Sequence, residues 1–137
     1  MTQLDVQLNL DAQINSFVTA FPIDVVYSNT DYSPKEGTDY LFISYINGDV
    51  FQIAPVEGSY NRTTVILQMD LYSDADIGKY RIKEVVDAMQ PYFKRGTVIH
   101  NNDIYTRVTN FVVADLTEEA NKSLQVIRVS TRSDYQN

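Results

Sequence analysis

The chain has 137 residues, a mass of 15.7 kDa and a net charge of −7, which is the size of one domain and too small for two ordinary ones. Its composition, 44% hydrophobic and 21% charged, is typical of a folded globular domain and excludes disorder as the main state. The whole charge excess lies in residues 1–60, which hold eight acidic residues and one basic residue, Lys35, so we expect no tight DNA- or RNA-binding surface there.

The first predicted element is an amphipathic helix that begins near Gln3 and is closed by Pro22. Its apolar residues recur at intervals of three and four, as one face of a helix requires. They are Leu10, Ile14, Phe17, Val18 and Phe21. A short strand, Ile23 to Ser28, should follow, and the polar residues 29–39 predict a loop.

Residues 40–61 predict a hairpin followed by a loop. Tyr40 to Ile46 is rich in β-branched and aromatic residues, Asn47-Gly48 is a strong turn signal, and Asp49 to Ile53 should return. Because loops of this length are often functional, we expect an arm at 40–61 that protrudes from the helix–sheet core. The alternative is a hairpin that simply completes the sheet of its own domain.

The next strand and helix have the clearest periodicity in the chain. In Thr63 to Tyr72 apolar residues alternate, with Val65, Leu67, Met69 and Leu71 on one face. A second helix, about Ala75 to Phe93, follows and stops before Gly96. Its apolar face comprises Ile82, Val85, Val86, Met89 and Phe93.

The remaining residues predict three strands, Thr97 to His100, Asp103 to Val113 and Lys122 to Thr131, with a turn at Asn101-Asn102 and a polar loop at Asp115 to Asn121. The element order is therefore αβββαβββ. We expect a single α+β domain over residues 1–137, with two helices packed on one face of a mixed, mainly antiparallel sheet.

Groups that could carry catalysis are scarce. His100, the only histidine, lies at a predicted exposed turn, and the five glycines are too far apart for a phosphate-binding loop. Asp70, Asp74 and Asp76 lack the glycine turn and distal glutamate of a calcium loop. The absence of cysteine excludes disulfides and thiolate metal sites. We therefore expect no enzymatic activity, no metal and no cofactor.

Two surface features point to assembly. The second helix carries Lys79 and Lys83, with Arg95 just beyond its end, and these cations are candidates for ionic contacts with an acidic neighbouring subunit. Five of the ten tyrosines fall between positions 27 and 60, and tyrosine is favoured at protein interfaces. The expected contact residues of the arm are Tyr45, Asp49, Phe51, Glu57, Tyr60 and Arg62.

The order of segments supports a resemblance to a known family. Residues 29–34 form an Asn-x-x-aromatic-x-Pro loop that leads into a strand, and the second helix ends in Phe-x-x-Gly at Phe93 and Gly96. A variable hairpin and the strand Thr63 to Tyr72 lie between them, and a β tail follows. Over nearly its whole length the chain resembles the gpU-like tail terminator proteins of long-tailed bacteriophages.

The resemblance implies a structural virion protein. It implies a hexameric ring that caps the tail tube, ends tube polymerisation and joins the head–tail connector. The implied partners are the chain itself, the major tail tube protein and the connector or stopper protein. DNA would pass through the lumen without specific binding, and no membrane is involved. The implied location is the head-proximal end of the tail, after assembly in the bacterial cytoplasm.

Two alternatives stay open at this point. One is another virion part of similar size, such as a head-completion or stopper protein of the neck. The other, from a different class, is a small-molecule-binding or hydrolytic α+β domain, since His100 and scattered carboxylates are present.

Overall fold

The computed structural model describes residues 3–28, 39–52, 60–74, 78–100, 104–114, 116–119 and 122–136. These form two helices, α1 (Gln3–Ala20) and α2 (Gly78–Phe93). They also form seven strands: β1 (Asp24–Tyr27), β2 (Tyr40–Gln52), β3 (Tyr60–Asp74), β4 (Val98–Ile99), β5 (Thr106–Val113), β6 (Thr117–Glu119) and β7 (Lys122–Gln136).

The strands form one sheet in the order β1-β2-β3-β7-β5-β4, and β6 pairs with β7. β1 and β2 are parallel, with Asp24 opposite Tyr40, whereas the other described pairings are antiparallel. β3 and β7 lie at the centre and pair along their full lengths, from Tyr60–Gln136 to Asp74–Lys122. The α+β class and the two helices agree with the prediction, and so does the element order apart from the short additional strand β6.

Both helices pack on the same set of alternating strand residues. In β3 these are the four residues predicted from the sequence, and all four are fully buried. The predicted apolar face of α2 is confirmed, because every one of its residues lies in the core. The largest fully buried side chains are Phe17, Phe93, Leu10, Ile14, Leu41, Ile43, Leu67, Met69, Leu71, Met89, Ile127 and Val6.

Helix α1 also buries a polar residue, Asn9, against the β4–β5 end of the sheet. Its Nδ2 atom donates to the Ile104 carbonyl at 2.8 Å and to Thr106 Oγ1 at 3.1 Å. Thr106 Oγ1 in turn lies 3.0 Å from Ser133 Oγ. Because a buried amide is costly without partners, this network fixes the position of α1 over the sheet.

The predicted turn at Asn47-Gly48 is wrong, since β2 runs through both residues without turning. The pairing with β3 shifts register between Asn47 and Val50, which is a β-bulge. A Cβ on Gly48 would collide with Thr64 Oγ1 and lie 3.1 Å from the Thr64 carbonyl oxygen, so glycine allows the close approach of the two strands. A strong turn signal and a bulge both favour glycine, and the long partner strand decides between them.

The β tail differs from prediction in two places. Thr117–Glu119, predicted as loop, pairs with β7 from Thr117–Leu124 to Glu119–Lys122. β7 also continues five residues beyond the predicted end at Thr131, because β3 offers partners as far as Tyr60. The predicted turn at Asn101-Asn102 and the loop at 29–38 lie outside the described residues.

The stop of α2 is as predicted. The helix ends at Phe93, two residues after Pro91, and Gly96 takes a positive φ of 92°. The Gly96 amide then donates to the Val108 carbonyl at 2.8 Å, which turns the chain directly into the sheet. Neither helix is long and apolar enough to span a membrane, judged over the residues with described coordinates.

Candidate assembly surface

The sheet has one face under the helices and a second face that no described helix covers. We call the second one the open face. Cross-strand partners share a face, so the register identifies its residues: Phe42, Asp70 and Val126 form one row, and Ile46, Ile66 and Ser130 another. None of them belongs to the hydrophobic core cluster. The open face is therefore surface that the chain's own core leaves unused.

Apolar side chains are frequent on the open face. Ile46 is 50% exposed, and Ile66, its partner on β3, is half-buried. At the other end of the strands, the Tyr40 and Tyr72 rings stack with centroids 4.9 Å apart. The remaining half-buried apolar residues are Phe42, Leu124 and Val126. A face of this composition, mixed apolar and aromatic, resembles the buried part of a protein interface.

A short chain of hydrogen bonds crosses the middle of the open face. Arg128 Nε donates to Gln68 Oε1 at 3.2 Å, and Gln68 Nε2 donates to Asp70 Oδ1 at 3.2 Å. Partial burial raises the pKa of the Asp70 carboxyl, while the Gln68 hydrogen bond and the Arg128 charge oppose that rise. Asp70 is thus a carboxylate held between apolar neighbours, in a position where a partner would desolvate it further.

An ion pair between Arg62 and Asp134 lies at one end of the open face. Arg62 Nε and Nη2 donate to Asp134 Oδ1 and Oδ2 at 2.8 and 3.1 Å, a bidentate arrangement across β3 and β7. The Arg62 hydrogen bonds hold the pKa of the Asp134 carboxyl below its usual range. Both side chains are about one third exposed, so they remain accessible to a partner.

Most of the predicted contact residues of the arm belong to the second half of β2 or to the start of β3. Asp49 and Phe51 lie in β2, and Tyr60 begins β3, but their side chains are not among those described, and Glu57 lies outside the described residues. The strand residues at 40–52 and 60–61 pair within the chain's own sheet. The rest of the predicted arm, residues 53–59, lies outside the described residues.

Tyr45, also predicted as a contact residue, lies on the helix side of β2. Its hydroxyl donates to Asp11 of α1. Burial, together with the hydrogen bond to the Asp11 carboxylate, raises the Tyr45 pKa, and burial also raises the pKa of nearby Tyr27. Tyr27 and Tyr45, two of the five tyrosines between positions 27 and 60, are therefore partly buried inside the fold.

Of the three cations predicted on and after α2, two have described side chains. Lys83 and Arg95 are exposed, and no ion pair to either occurs among the residues the structure describes. The side chain of Lys79 is not described. Arg81, another cation of α2, pairs with Asp39 and lies 4.9 Å over the Phe21 ring. Asp39 also accepts from Ser73 Oγ at 2.8 Å. This contact ties the start of β2 to α2.

His100 has no catalytic surroundings in the described part of the chain. It is exposed, and its ring stacks on Tyr105 at a centroid distance of 4.0 Å. Across the described ranges no three His, Asp or Glu residues are grouped as a metal site would require.

The sequence analysis missed the network around Asp70 and the role of the β7 arginines. Residues 126–134 alternate between buried small or apolar residues and more exposed ones, so the side of the sheet on which Arg128 and Arg132 lie could have been predicted from this alternation. The cross-strand partners of Arg128 and Arg132 could not have been predicted in this way, because no short-range sequence pattern specifies that β7 pairs with β3 and β5.

Comparison with solved structures shows that the fold is shared. One solved chain superposes with a TM-score of 0.72 at 14% identity, covering 98% of this chain and 97% of its own. A second, from a structure titled as the virion of a native gene transfer agent particle, has a TM-score of 0.52 at 15% identity, covering 92% and 90%. Comparison with curated proteins found no match.

The sequence profile of one protein family matches residues 5–130, which is nearly the whole chain. This match covers α2, all of α1 except its first two residues, and every strand of the sheet except the end of β7. The family is described as phage tail terminator protein, in agreement with the resemblance found in the sequence. The chain therefore belongs to the phage tail terminator protein family.

Proposed function

We propose that this chain is a structural virion protein that caps the phage tail tube as a hexameric ring, ends tube polymerisation and provides the joining surface for the head–tail connector. The observation that carries the proposal is the family match over residues 5–130. The likeness to a gene transfer agent virion chain is in keeping with a location in the virion, at the head-proximal end of the tail. Assembly would take place in the bacterial cytoplasm.

A terminator needs one surface that accepts the last tube ring and a different surface that the tube protein does not extend. The molecule has two surfaces of unlike chemistry. The open face is mixed apolar and polar, with Ile46 and Ile66 beside Asp70. The outer side of α2 is charged, with Lys83, Glu84 and Asp87 exposed. This difference supports two distinct sets of partners.

The partners we propose are other copies of the chain, the major tail tube protein and the connector or stopper protein. The arm remains our candidate for gripping the tube, with Asp49, Phe51, Glu57, Tyr60 and Arg62 as its contact residues. Tyr45 is no longer among them, because it packs against the core and its hydroxyl is bonded to Asp11. Lys79, Lys83 and Arg95 remain candidates for ionic contacts between subunits. DNA would pass through the lumen without specific binding, and the net charge of −7 suits a channel that repels phosphates. We assign no catalytic step to the chain.

The test is negative-stain imaging of the purified chain mixed with tubes of its tail tube protein. We expect rings at one end of each tube and no further growth of capped tubes when more tube protein is added. Protein bound along the tube walls, or absent from tube ends, would exclude the capping function. A chain found only on the connector would assign it to the neck instead.

The arm is tested by replacing residues 53–59 with a tight turn that leaves β2 and β3 paired. We expect this variant to keep the circular dichroism spectrum of the unaltered chain and to lose tube capping. As a control for handling and folding, Asn15→Ala changes an exposed residue on α1 and should cap normally. Normal capping by the shortened variant would show that the loop only completes its own sheet.

A further inference from the structure

The outer edge of β5 has no neighbouring strand along its second half. Near its start, β5 pairs with the short strand β4. The Gly96 amide then donates to the Val108 carbonyl, and the Val108 amide donates to the Thr97 carbonyl, each at 2.8 Å. Beyond Val108, no strand among the described residues pairs with β5 on the side away from β7. We call residues 109–113 the free edge.

The hydrogen-bond pattern shows which backbone groups of the free edge point outward. Ala114 donates its amide to the Val126 carbonyl of β7 at 2.9 Å. Because successive residues of an antiparallel strand direct their backbone groups to alternate sides, Val112 also directs its groups to β7. Phe111 and Val113 therefore direct their N–H and C=O groups away from β7, toward the unoccupied side.

One side chain takes the place of a partner strand at the free edge. The Phe111 amide donates to Oδ1 of Asn110, the preceding residue, at 3.0 Å. Asn110 is exposed and lies at the β-bulge where the register with β7 shifts. The outward groups of Val113 form no hydrogen bond within the described part of the chain. Asn110 thus occupies an outward amide that an added strand would use.

The side chains of the free edge are apolar on both faces of the sheet. Val112, opposite Arg128 on the open face, is 43% exposed, and Val113, opposite Ile127 on the helix side, is 41% exposed. The free edge contains no charged residue and no proline, which are the residues that commonly protect an exposed sheet edge. An added strand would therefore bury apolar side chains on both faces and satisfy the backbone groups between them.

We propose that the free edge receives an extended, uncharged peptide strand from a protein other than this chain, and that Asn110 guards the edge until that strand binds. The outward backbone groups specify an extended backbone, because a strand presents N–H and C=O groups at the matching spacing. The absence of charge specifies the side chains, since a charged group placed beside Val112 or Val113 would lose water without gaining a partner. The length of the free edge matches a strand of about five residues.

A second copy of the chain is a poorer occupant. Strands β2, β3 and β7 already have neighbours on both sides, so a copy could offer only one of its edge strands. At the opposite edge of the sheet, β1 is four residues long and begins with the charged residue Asp24, which the uncharged free edge does not complement. The proposal is independent of the capping function, because it follows from the free edge alone.

The first experiment measures hydrogen exchange of single amides in the full chain by NMR. Without a ligand, the Val113 amide should exchange at least about tenfold faster than the Val112 amide, because only the latter is bonded to β7. The probe is a seven-residue peptide that alternates threonine and valine. When it is added, the Phe111 and Val113 amides should become protected while Val112 stays unchanged. Protection of none of these amides, or of all three equally, would overturn the proposal.

The guarding role is tested with Asn110→Ala. Because the Phe111 amide then has no competing acceptor, we expect the peptide to bind about threefold more tightly. The matched control Asn110→Asp keeps an acceptor oxygen at the same place and should not tighten binding. Binding by Asn110→Ala that is equal to or weaker than that of the unaltered chain would overturn the guarding role.

Val113→Pro tests the backbone contact. Proline removes the outward N–H, leaves the bonds between β5 and β7, and is tolerated in edge strands, so we expect a folded chain that no longer binds the peptide. The control Val113→Thr keeps the N–H and the branched shape and should bind within about twofold of the unaltered chain. Circular dichroism checks folding of both variants.

Val112→Glu provides a second variant that leaves every backbone bond in place. It puts a charge on the free edge opposite Arg128, a cross-strand pair that suits the fold, and should weaken peptide binding about tenfold. Unchanged binding by Val112→Glu, or by folded Val113→Pro, would overturn the proposal.

The occupant is tested by varying protein concentration and peptide sequence. Protection of Phe111 and Val113 that rises with protein concentration in the absence of peptide would assign the edge to a second copy and overturn the assignment to another protein. A peptide of the same length with a central proline should give no protection, because it cannot form the backbone ladder. Equal protection by this peptide would show that binding is not strand pairing.

The inference and the proposed function fail separately. If the chain caps tubes but its free edge does not bind the peptide, the inference fails and the capping function stands. If the free edge binds the peptide with the expected alternation of protected amides but no tube end is capped, the inference stands and the capping function fails.

Discussion

The two faces of the central strand β3 differ in burial although their residues alternate along one short stretch of sequence. Leu67, facing the helices, is fully buried, whereas Ile66, its neighbour in sequence, is half-buried on the open face. The covered face obtains its partners within the chain. The open face carries apolar residues and a hydrogen-bonded carboxylate, Asp70, that the core does not need. The covered face thus supplies stability, and the open face is left available for the assembly contacts that we propose.

The largest effect should come from truncating the covered face. Leu67→Ala removes a fully buried side chain from the core, and we expect it to lower the free energy of unfolding by about 2–5 kcal/mol. Ile66→Ala is the matched control on the same strand and should cost about 1 kcal/mol. Urea titration of both variants measures the difference. Equal losses would remove the distinction between the faces.

The buried amide of Asn9 should have the next largest effect. Asn9→Ala removes the donor to the Ile104 carbonyl and Thr106 Oγ1, and we expect a loss of about 1–3 kcal/mol because these acceptors lie in the interior. Asn15→Ala, on the exposed side of the same helix, should change stability by less than about 0.5 kcal/mol. Thermal or urea unfolding distinguishes them. If Asn9→Ala were neutral, the network would not position α1.

On the open face, Asp70 should act against stability at neutral pH. Its folded-state pKa is raised, so between the ordinary aspartate pKa of about 3.9 and the raised value the folded chain binds more protons than the unfolded one. The Asp70 contribution to stability therefore falls as pH rises through that window. Asp70→Asn should stabilise the chain at pH about 7 by no more than about 1 kcal/mol, given its exposure to solvent screening.

Urea titrations at neutral pH and below pH about 3.9 test this sign, because wild-type Asp70 is protonated in both states at the lower pH. The advantage of Asp70→Asn should vanish there. A variant that is less stable than the unaltered chain at neutral pH would show that the Gln68–Asp70 contact outweighs desolvation.

The smallest effect should come from the ion pair at the end of the open face. The Asp134 pKa is lowered by Arg62, so its contribution is present above the ordinary aspartate pKa and is lost as pH falls through the folded value. Because the pair is exposed, Asp134→Asn should cause only a small loss that added salt reduces. A loss that is independent of salt would indicate a packing role.

The parts of the molecule that the sequence predicted correctly depend on short-range patterns. The alternation in β3, the helical spacing in α2 and the stop before Gly96 each involve residues within a few positions of one another. Periodicity of this kind determines which face of an element is apolar, whatever it packs against.

The remaining features depend on which strands meet. Asn47-Gly48 is a bulge and not a turn because β3 offers a ladder along the whole of β2, and β7 reaches Gln136 because Tyr60 is there to pair with it. The same holds for the contact of Tyr45 with Asp11 and for the facing of Arg107 and Arg132. The sequence by itself determined the apolar faces, since these require only local periodicity. The tertiary structure decided the register, and with it the open face, because hydrogen bonding between strands distant in sequence sets which side chains lie opposite one another.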